Sequence, residues 1–235
     1  MATESWVGTI AENLERLRGA IAAAARAAGR DPGGIRLIAV SKTMPPERIR
    51  EAQAAGQRLF GENRAQELLA KSPALADLDI AWHFIGRLQS NKARAVAAAA
   101  TLIHSVDRLD LAHRLDALWA GGPPRPVLVQ VNTSGEASKS GVEPGGLTEL
   151  LDGIAGLPHL SVEGLMTIGP WTDDRDAVRA AFRSLARALA EQRRHDRPRA
   201  PLSELSMGMS GDFEIAIQEG ATLLRIGTAL FGARD

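Results

Sequence analysis

The chain has 235 residues, in which 28 lysines and arginines balance 28 aspartates and glutamates, and it contains no cysteine and no tyrosine. Without cysteine it cannot form a disulfide, a thiolate nucleophile or a cysteine-ligated metal site. Zero net charge and an aromatic content of 4% provide neither a basic face nor a stacking surface, which excludes nucleic acid as a partner. No apolar run is long enough to cross a membrane and no signal peptide is evident, so we expect a cytoplasmic protein.

The first predicted element is a long amphipathic helix. Apolar residues recur at helical spacing from Glu4 to Ala28, and Gly29 with the Arg-Asp-Pro-Gly-Gly that follows it ends the pattern. We expect this N-terminal helix, within residues 1–30, to pack on the domain formed by the rest of the chain.

After the first helix, apolar strands alternate with helices to the end of the chain. Eight strands are predicted, at 35–42, 58–63, 81–86, 101–107, 126–132, 160–169, 204–209 and 222–232. The helices between them are predicted at 45–55, 64–71, 90–99, 108–120, 144–155, 173–194 and 212–219. Strands that are apolar on both faces are typical of a parallel sheet covered by helices.

This alternation predicts an α/β fold: one (β/α)8 barrel with an extra N-terminal helix, forming a single domain over residues 1–235. A doubly wound open sheet is the main alternative. It is disfavoured because no glycine-rich dinucleotide-binding turn follows the first strand.

The sharpest candidate for chemistry is Lys42, which ends the first predicted strand. Functional groups of a barrel lie at the carboxyl ends of its strands, and a partly desolvated lysine there supplies a nucleophilic amine for a Schiff base. The alternative is a solvated strand-end lysine. The other three lysines, Lys71, Lys92 and Lys139, have no comparable setting in the sequence.

The seventh and eighth strands end in small and hydroxyl-bearing residues, within SMGMSGD and RIGTALFG. Loops after these two strands form the usual phosphate site of a barrel, and a helix beginning near Asp212 adds its N-terminal dipole. Ordinary turn chemistry is the alternative reading of these residues. A lysine and a phosphate site on one rim predict a phosphorylated carbonyl ligand, either a sugar phosphate or pyridoxal 5′-phosphate.

Eight motifs occur in order between about residue 35 and the C-terminus. They are AVSK (39–42), LFGEN (59–63), WHFIGRLQSNK (82–92), HSVD (104–107), VNTSGEASKSG (131–141), GLMTIG (164–169), LSMGMSGDFEIAI (205–217) and RIGTALFG (225–232). In this combination and spacing the chain resembles the pyridoxal phosphate homeostasis protein family. The resemblance implies a fold-type III barrel, similar to the N-terminal domain of alanine racemase, with pyridoxal 5′-phosphate as its cofactor.

The resemblance also implies which residues contact the cofactor. Lys42 would form the imine, Asn63 would contact the ring region, Met166 would pack near the ring, and Arg225 would face the pyridine nitrogen. Ser206 and Ser210, with the backbone of Gly227 and Thr228, would hold the phosphate. No residue is assigned a catalytic role, and no metal site is expected.

Arg225 has a chemical consequence if it faces the pyridine nitrogen. A guanidinium remains a donor and disfavours protonation of the ring nitrogen, and an unprotonated ring is a weaker electron sink. The opposing base of enzymes that resemble alanine racemase is a tyrosine, and these 235 residues contain none. Both features favour holding the cofactor over turning over amino acids.

The other polar candidates are weaker. We interpret His83 as a packed or cofactor-flanking histidine, because no second ligand lies at metal-binding spacing on its own element. His104 and Asp107 are three residues apart at a strand end and so lie on opposite faces, and we interpret His104 as structural or rim-facing. Glu62 points away from Asn63 by strand alternation. The helical arginine stripe at 175, 179, 183 and 187 and the four arginines in the 193–201 loop are expected to be solvated.

The leading hypothesis is a monomeric carrier or regulator in the intracellular homeostasis of pyridoxal 5′-phosphate, which it binds through Lys42. Apo forms of enzymes that depend on this cofactor are the expected protein partners, and this regulatory role comes from the resemblance alone. The second hypothesis is a racemase or transaminase of low activity. The third is a Schiff-base aldolase that acts on a sugar phosphate.

Overall fold

The computed structural model describes residues 8–136 and 140–232, which form a closed barrel of eight parallel strands surrounded by helices. The strands, β1 to β8, are Arg36–Val40, Leu59–Glu62, Ala81–Phe84, Leu102–Val106, Arg125–Gln130, Leu160–Met166, Glu204–Ser206 and Leu223–Ile226. The helices, α1 to α9, are Ile10–Ala27, Pro46–Ala54, Ala65–Ala74, Ala93–Ala99, Leu109–Leu118, Leu147–Ala155, Arg175–Gln192, Phe213–Gln218 and Thr228–Phe231. The predicted barrel with an N-terminal helix is confirmed. Within these residues, no helix is both long and apolar enough to span a bilayer.

The strands are shorter than predicted, most clearly at the end of the chain. Residues 222–232 were expected to form one strand, but β8 ends at Ile226 and α9 begins at Thr228. The ladder between β1 and β8 stops at the pair Ala39–Ile226. A Cβ on Gly227 would lie only 3.1 Å from the Val40 carbonyl oxygen, so the glycine lets the chain pass close to β1 as it turns.

Helix α1 is fixed at its start by a capping box. The Thr9 hydroxyl accepts a hydrogen bond from the Glu12 N–H (3.3 Å), and the Glu12 carboxylate accepts one from the Thr9 N–H (2.8 Å). This reciprocal pair satisfies two backbone donors that a helix otherwise leaves open. The predicted start at Glu4 and the apolar Trp6 lie outside the described residues.

The apolar stripe of α1 packs against α2, α8 and α9. Its buried residues include Leu14, Leu17 and Ile21. The buried Asn13 side chain donates to the Leu230 carbonyl of α9 at 3.1 Å. The helix is therefore tied to the far end of the sequence by both packing and a hydrogen bond.

The barrel interior is filled by a small apolar cluster that is separate from the larger core between strands and helices. It contains one residue each from β1, β4, β5, β6 and β8: Ile38, Leu102, Leu128, Met166 and Leu223. Side chains two positions further along a strand point to the same face. The next inward positions on β4 and β8 are polar, His104 and Arg225, which places polar side chains on the carboxyl side of Leu102 and Leu223.

Several arginines that were predicted to be solvated instead anchor neighbouring elements. Arg179 and Arg183 of α7 both bind Glu219, at 2.9 Å. In the 193–201 loop, Arg197 is buried and donates to Asp152 at 2.6 Å. The expectation of solvation was wrong for Arg197, which is buried, whereas Arg183 is exposed and still binds Glu219.

We expect Leu17→Ala to lower the free energy of unfolding by about 3 kcal/mol, because it removes a fully buried side chain and leaves a cavity. Denaturant unfolding checks this, with the exposed Glu15→Ala on the same helix as the matched control. A loss below about 0.5 kcal/mol would show that α1 contributes little to the folded domain.

Candidate functional site

Lys42 lies just beyond β1, half-buried, in a tight turn at the carboxyl end of the barrel. The Met44 N–H donates to the Ser41 carbonyl at 3.0 Å and closes the turn. Thr43 has a φ of 67°, a left-handed conformation that is unfavourable for a β-branched residue. Strained backbone of this kind is often found at functional sites.

The eight residues assigned to the site from the sequence lie at the carboxyl ends of five consecutive strands of the closed barrel, β6, β7, β8, β1 and β2. Met166 is the last residue of β6, and Ser206 the last of β7. Arg225 lies within β8 and Gly227 follows it. The remaining four are Lys42, Asn63, Ser210 and Thr228. The structure therefore gathers all eight on one rim.

Arg225 is the buried cation of this site, with only 4% of its surface exposed. Its guanidinium donates to the Ser206 hydroxyl at 2.6 Å and to the Thr167 carbonyl at 2.7 Å. Burial lowers the pKa of Arg225 to about 10, and the nearby Asp212 carboxylate opposes this shift. The group therefore stays positively charged at neutral pH.

Two buried histidines continue the hydrogen-bonded chain across the barrel. His104 Nδ1 lies 2.9 Å from the Ser206 hydroxyl, and His104 Nε2 lies 3.0 Å from His83 Nδ1. The Ser206 hydroxyl oxygen has two lone pairs, so it can accept from Arg225 and either donate to or accept from His104 Nδ1. The direction of both histidine contacts is therefore set by the tautomers of His104 and His83.

Both histidines are held neutral. Burial, with a smaller contribution from Arg36, lowers the pKa of His83 to about 4. Burial also holds the pKa of His104 well below its ordinary value, and His83 and Arg225 add to the effect. This network makes His104 structural, which was one of the two readings of its sequence. It also shows that the Ser206 hydroxyl is bonded to Arg225 and His104.

Ser210 occupies a different part of the rim from the Ser206 hydroxyl. Its side chain accepts a hydrogen bond from the Ala229 N–H at 3.3 Å, in the first turn of α9. Gly227, at the start of that turn, has no side chain to cover its backbone. Ser210, Gly227 and Thr228 thus lie together, whereas Ser206 lies with Arg225.

Asn63 directly follows β2 and lies close to Gly86, which comes shortly after β3. A Cβ on Gly86 would lie 2.0 Å from the Asn63 carbonyl oxygen, so only glycine allows the two chains to approach this closely. The Asn63 Oδ1 atom is buried and has no hydrogen-bond partner among the described residues. A buried acceptor without a donor is costly, and a bound ligand that donates a hydrogen bond would satisfy it.

Sequence reasoning missed a buried ion cluster beside Lys42, which we call the Lys71 cluster and define as Glu62, Glu67 and Lys71. The Lys71 ammonium lies 2.8 Å from Glu62 and 2.8 Å from Glu67. Lys71 therefore lies on a helix with its ammonium bound by carboxylates, a setting different from that of Lys42. The spacing of Glu67 and Lys71, four residues apart on a helix, was the available signal. The position of Glu62 opposite Lys71 could not be read from the sequence.

Comparison with known proteins identifies the family. Residues 10–235 match the family described as alanine racemase, N-terminal domain. The chain is 52% identical over 230 residues to the pyridoxal phosphate homeostasis protein of Pseudomonas aeruginosa, with 97% of each chain covered. It is 47% identical over 231 residues to the protein of the same name from Escherichia coli K12, covering 96% of this chain and 97% of that one. The chain belongs to the pyridoxal phosphate homeostasis protein family.

Solved structures agree with this assignment. PipY from Synechococcus elongatus has been solved with pyridoxal phosphate bound, and its sequence is 41% identical to the present chain. The two structures superpose with a TM-score of 0.83, over 95% of this chain and all of PipY. Alanine racemase from Corynebacterium glutamicum is 19% identical, with a TM-score of 0.72 over 96% of this chain and 61% of the racemase. The racemase comparison shows a shared fold.

We expect His83 to make stability depend on pH. The unfolded chain binds a proton at this imidazole near pH 6.5, whereas the folded chain does so only near pH 4. Stabilisation is therefore full above pH 6.5 and is lost as the pH falls towards 4, by about 3 kcal/mol for this residue.

Denaturant unfolding between pH 7.5 and 4 measures this loss. His83→Gln, which lacks the titrating group, should lose less stability over the same interval than the natural chain. Equal pH dependence in the two proteins would contradict the burial of a neutral His83.

Proposed function

We propose that this chain binds pyridoxal 5′-phosphate covalently through Lys42 and serves as a carrier or regulator of the cofactor. The observation that carries the proposal is that a half-buried lysine follows β1 while a buried arginine lies on β8, the strand adjacent to β1. The same fold binds this cofactor in PipY, which matches nearly the whole chain. The names of the curated relatives describe homeostasis of the same cofactor.

The donors and acceptors on the rim fit the chemical groups of the cofactor. Ser210 and the backbone at Gly227 and Thr228 would hold the phosphate, where the loops after the last two strands meet. Asn63, with its unpartnered oxygen, would contact the ring substituents. Met166 would pack near the ring. A phosphate role for Ser206 remains a prediction, since its present partners tie it to Arg225.

The chain's own residues favour holding the cofactor. When bound, pyridoxal phosphate supplies an aldehyde that condenses with amines and a ring that withdraws electrons. The guanidinium of Arg225 has five N–H donors and no acceptor, so two bonds to the protein leave others to face the ring nitrogen. A cation at that position disfavours protonation of the nitrogen and weakens the electron-withdrawing power of the ring.

The finer parts of this role remain predictions. We expect apo enzymes that need the cofactor to be its recipients, and we expect a cytoplasmic monomer. The racemase or transaminase and the sugar-phosphate aldolase become outcomes of the tests below.

Adding pyridoxal phosphate to the purified protein should produce a visible absorbance band that is absent in Lys42→Ala. Borohydride reduction followed by peptide mass spectrometry should place the cofactor on Lys42. Lys92→Ala, which removes a different lysine, is the matched control and should keep the band.

Survival of the band in Lys42→Ala with its loss in Lys92→Ala or Lys139→Ala would show that the site is wrong. An aldolase would instead become labelled at Lys42 by a sugar phosphate and would leave pyridoxal phosphate unbound.

The holoprotein should exchange the α-proton of alanine into heavy water at a rate close to that of free pyridoxal phosphate, because Arg225 disfavours carbanion formation. Proton NMR of alanine over time measures this rate, with a known racemase as the positive control. Exchange that is faster by several orders of magnitude would favour the racemase hypothesis over the carrier.

A further inference from the structure

The turn that contains Lys42 is hydrogen-bonded to the side chains of the Lys71 cluster. The Lys71 ammonium donates to the Ser41 carbonyl at 2.8 Å, and the Ser41 hydroxyl donates to Glu62 at 2.7 Å. Both groups of Ser41 are therefore bound by side chains of the cluster. Ser41 directly precedes Lys42, so these bonds fix the backbone on the N-terminal side of the reactive amine.

The other side of Lys42 is bound to the same cluster. The Thr43 N–H donates to Glu67 Oε2 at 2.6 Å, and the same oxygen accepts from Lys71 at 2.8 Å. Thr43 has the left-handed φ of 67°, which costs about 1 to 3 kcal/mol unless surrounding contacts enforce it. The bond to Glu67 is such a contact.

The cluster is buried and strongly coupled. The side chains of Lys71 and Glu62 are 9% and 0% exposed. Burial raises the pKa of Glu62 against the opposing effects of Lys71 and Ser41. Burial also acts on Glu67, but hydrogen bonds from Lys71 and Thr43 together hold its pKa below the usual value. Lys71 is thus the cation that both carboxylates share.

We propose that Lys71, held between Glu62 and Glu67, is a positioning residue that fixes the turn on which Lys42 is presented to the cofactor. This inference rests on the proposed function of Lys42. The alternative is that the cluster only attaches α3 to the barrel. The two differ in their consequences, because an attachment role affects stability alone, whereas a positioning role affects the reactivity of Lys42 in a protein that remains folded.

The test uses a double variant, Glu62→Gln with Lys71→Met. Removing Lys71 alone would leave a buried carboxylate without its cation, which destabilises a fold strongly. The double variant removes both charges together. The matched control, Arg50→Met with Asp77→Asn, removes an exposed ion pair of the same charge that joins α2 to the segment after α3. Thermal unfolding establishes that each variant is folded at the temperature of the measurements.

The first measurement needs no cofactor. Hydrogen exchange of the Thr43 and Met44 amides should be about tenfold faster in the Glu62→Gln/Lys71→Met variant than in the natural chain, because the turn opens more often. The control variant should leave these two amides unchanged. Unchanged exchange in the Glu62→Gln/Lys71→Met variant would overturn the proposal, since the turn would then not depend on the cluster.

The second measurement follows Lys42 itself. We expect pyridoxal phosphate to bind about tenfold more weakly to the Glu62→Gln/Lys71→Met variant, and the visible circular dichroism per covalently attached cofactor to fall, because the attachment point is no longer fixed. Natural affinity and natural circular dichroism in this folded variant would overturn the positioning role. Absence of a Lys42-dependent band in the natural chain would instead overturn the proposed function together with this inference.

Discussion

Closure of the barrel between β1 and β8 is the contact on which the site depends. The two strands are almost 190 residues apart along the chain, yet the ladder pairs Ile38 with Arg225 and Ala39 with Ile226. That pairing puts Lys42, which follows β1, and Arg225, which lies within β8, on adjacent strands of the closed barrel. The adjacent strands, β7 on one side and β2 on the other, contribute Ser206 and Asn63 to the same rim.

The inside of the barrel combines two layers with different roles. The apolar cluster of buried residues that includes Ile38 and Met166 fills part of the interior. The polar layer next to it binds one guanidinium through Ser206, and His104 and His83 complete the chain of hydrogen bonds. A buried cation is unfavourable unless its donors are satisfied, so this layer is what allows Arg225 to remain charged inside the barrel.

In the proposed function, Lys42 and Arg225 would separate binding from catalysis. Lys42 would attach the cofactor, whereas the Arg225 cation opposite the ring nitrogen would disfavour its protonation and weaken the ring as an electron sink. Lys71 and Glu67 bond to the backbone of Ser41 and Thr43, on either side of Lys42. In the proposed function, backbone geometry as well as charge would then tune the reactivity of Lys42.

The fold could be predicted from the sequence because strand and helix periodicities are local signals, and eight alternating units leave few architectures. The ends of elements were less accurate. Residues 228–231 read as strand because they are apolar, but they fold as a helix once the ladder to β1 has ended. The eight residues that the motifs assigned to the site all lie at or near the carboxyl ends of consecutive strands.

The partners of long charged side chains could not be predicted, because they depend on the tertiary fold. Arg179 and Arg183 lie about forty residues from Glu219 in the sequence, and the Lys71 cluster needs β2 and α3 to be packed. Bonds from His104 to Ser206 required the closed barrel for the same reason.

The protonation state of the bound ring nitrogen tests the central claim most directly, namely that this barrel holds pyridoxal phosphate in a form poorly suited to catalysis. Nitrogen NMR of the protein loaded with cofactor labelled with ¹⁵N in the ring measures it. The account predicts the chemical shift of an unprotonated pyridine at neutral pH. The shift of a protonated pyridinium in the natural chain would contradict it.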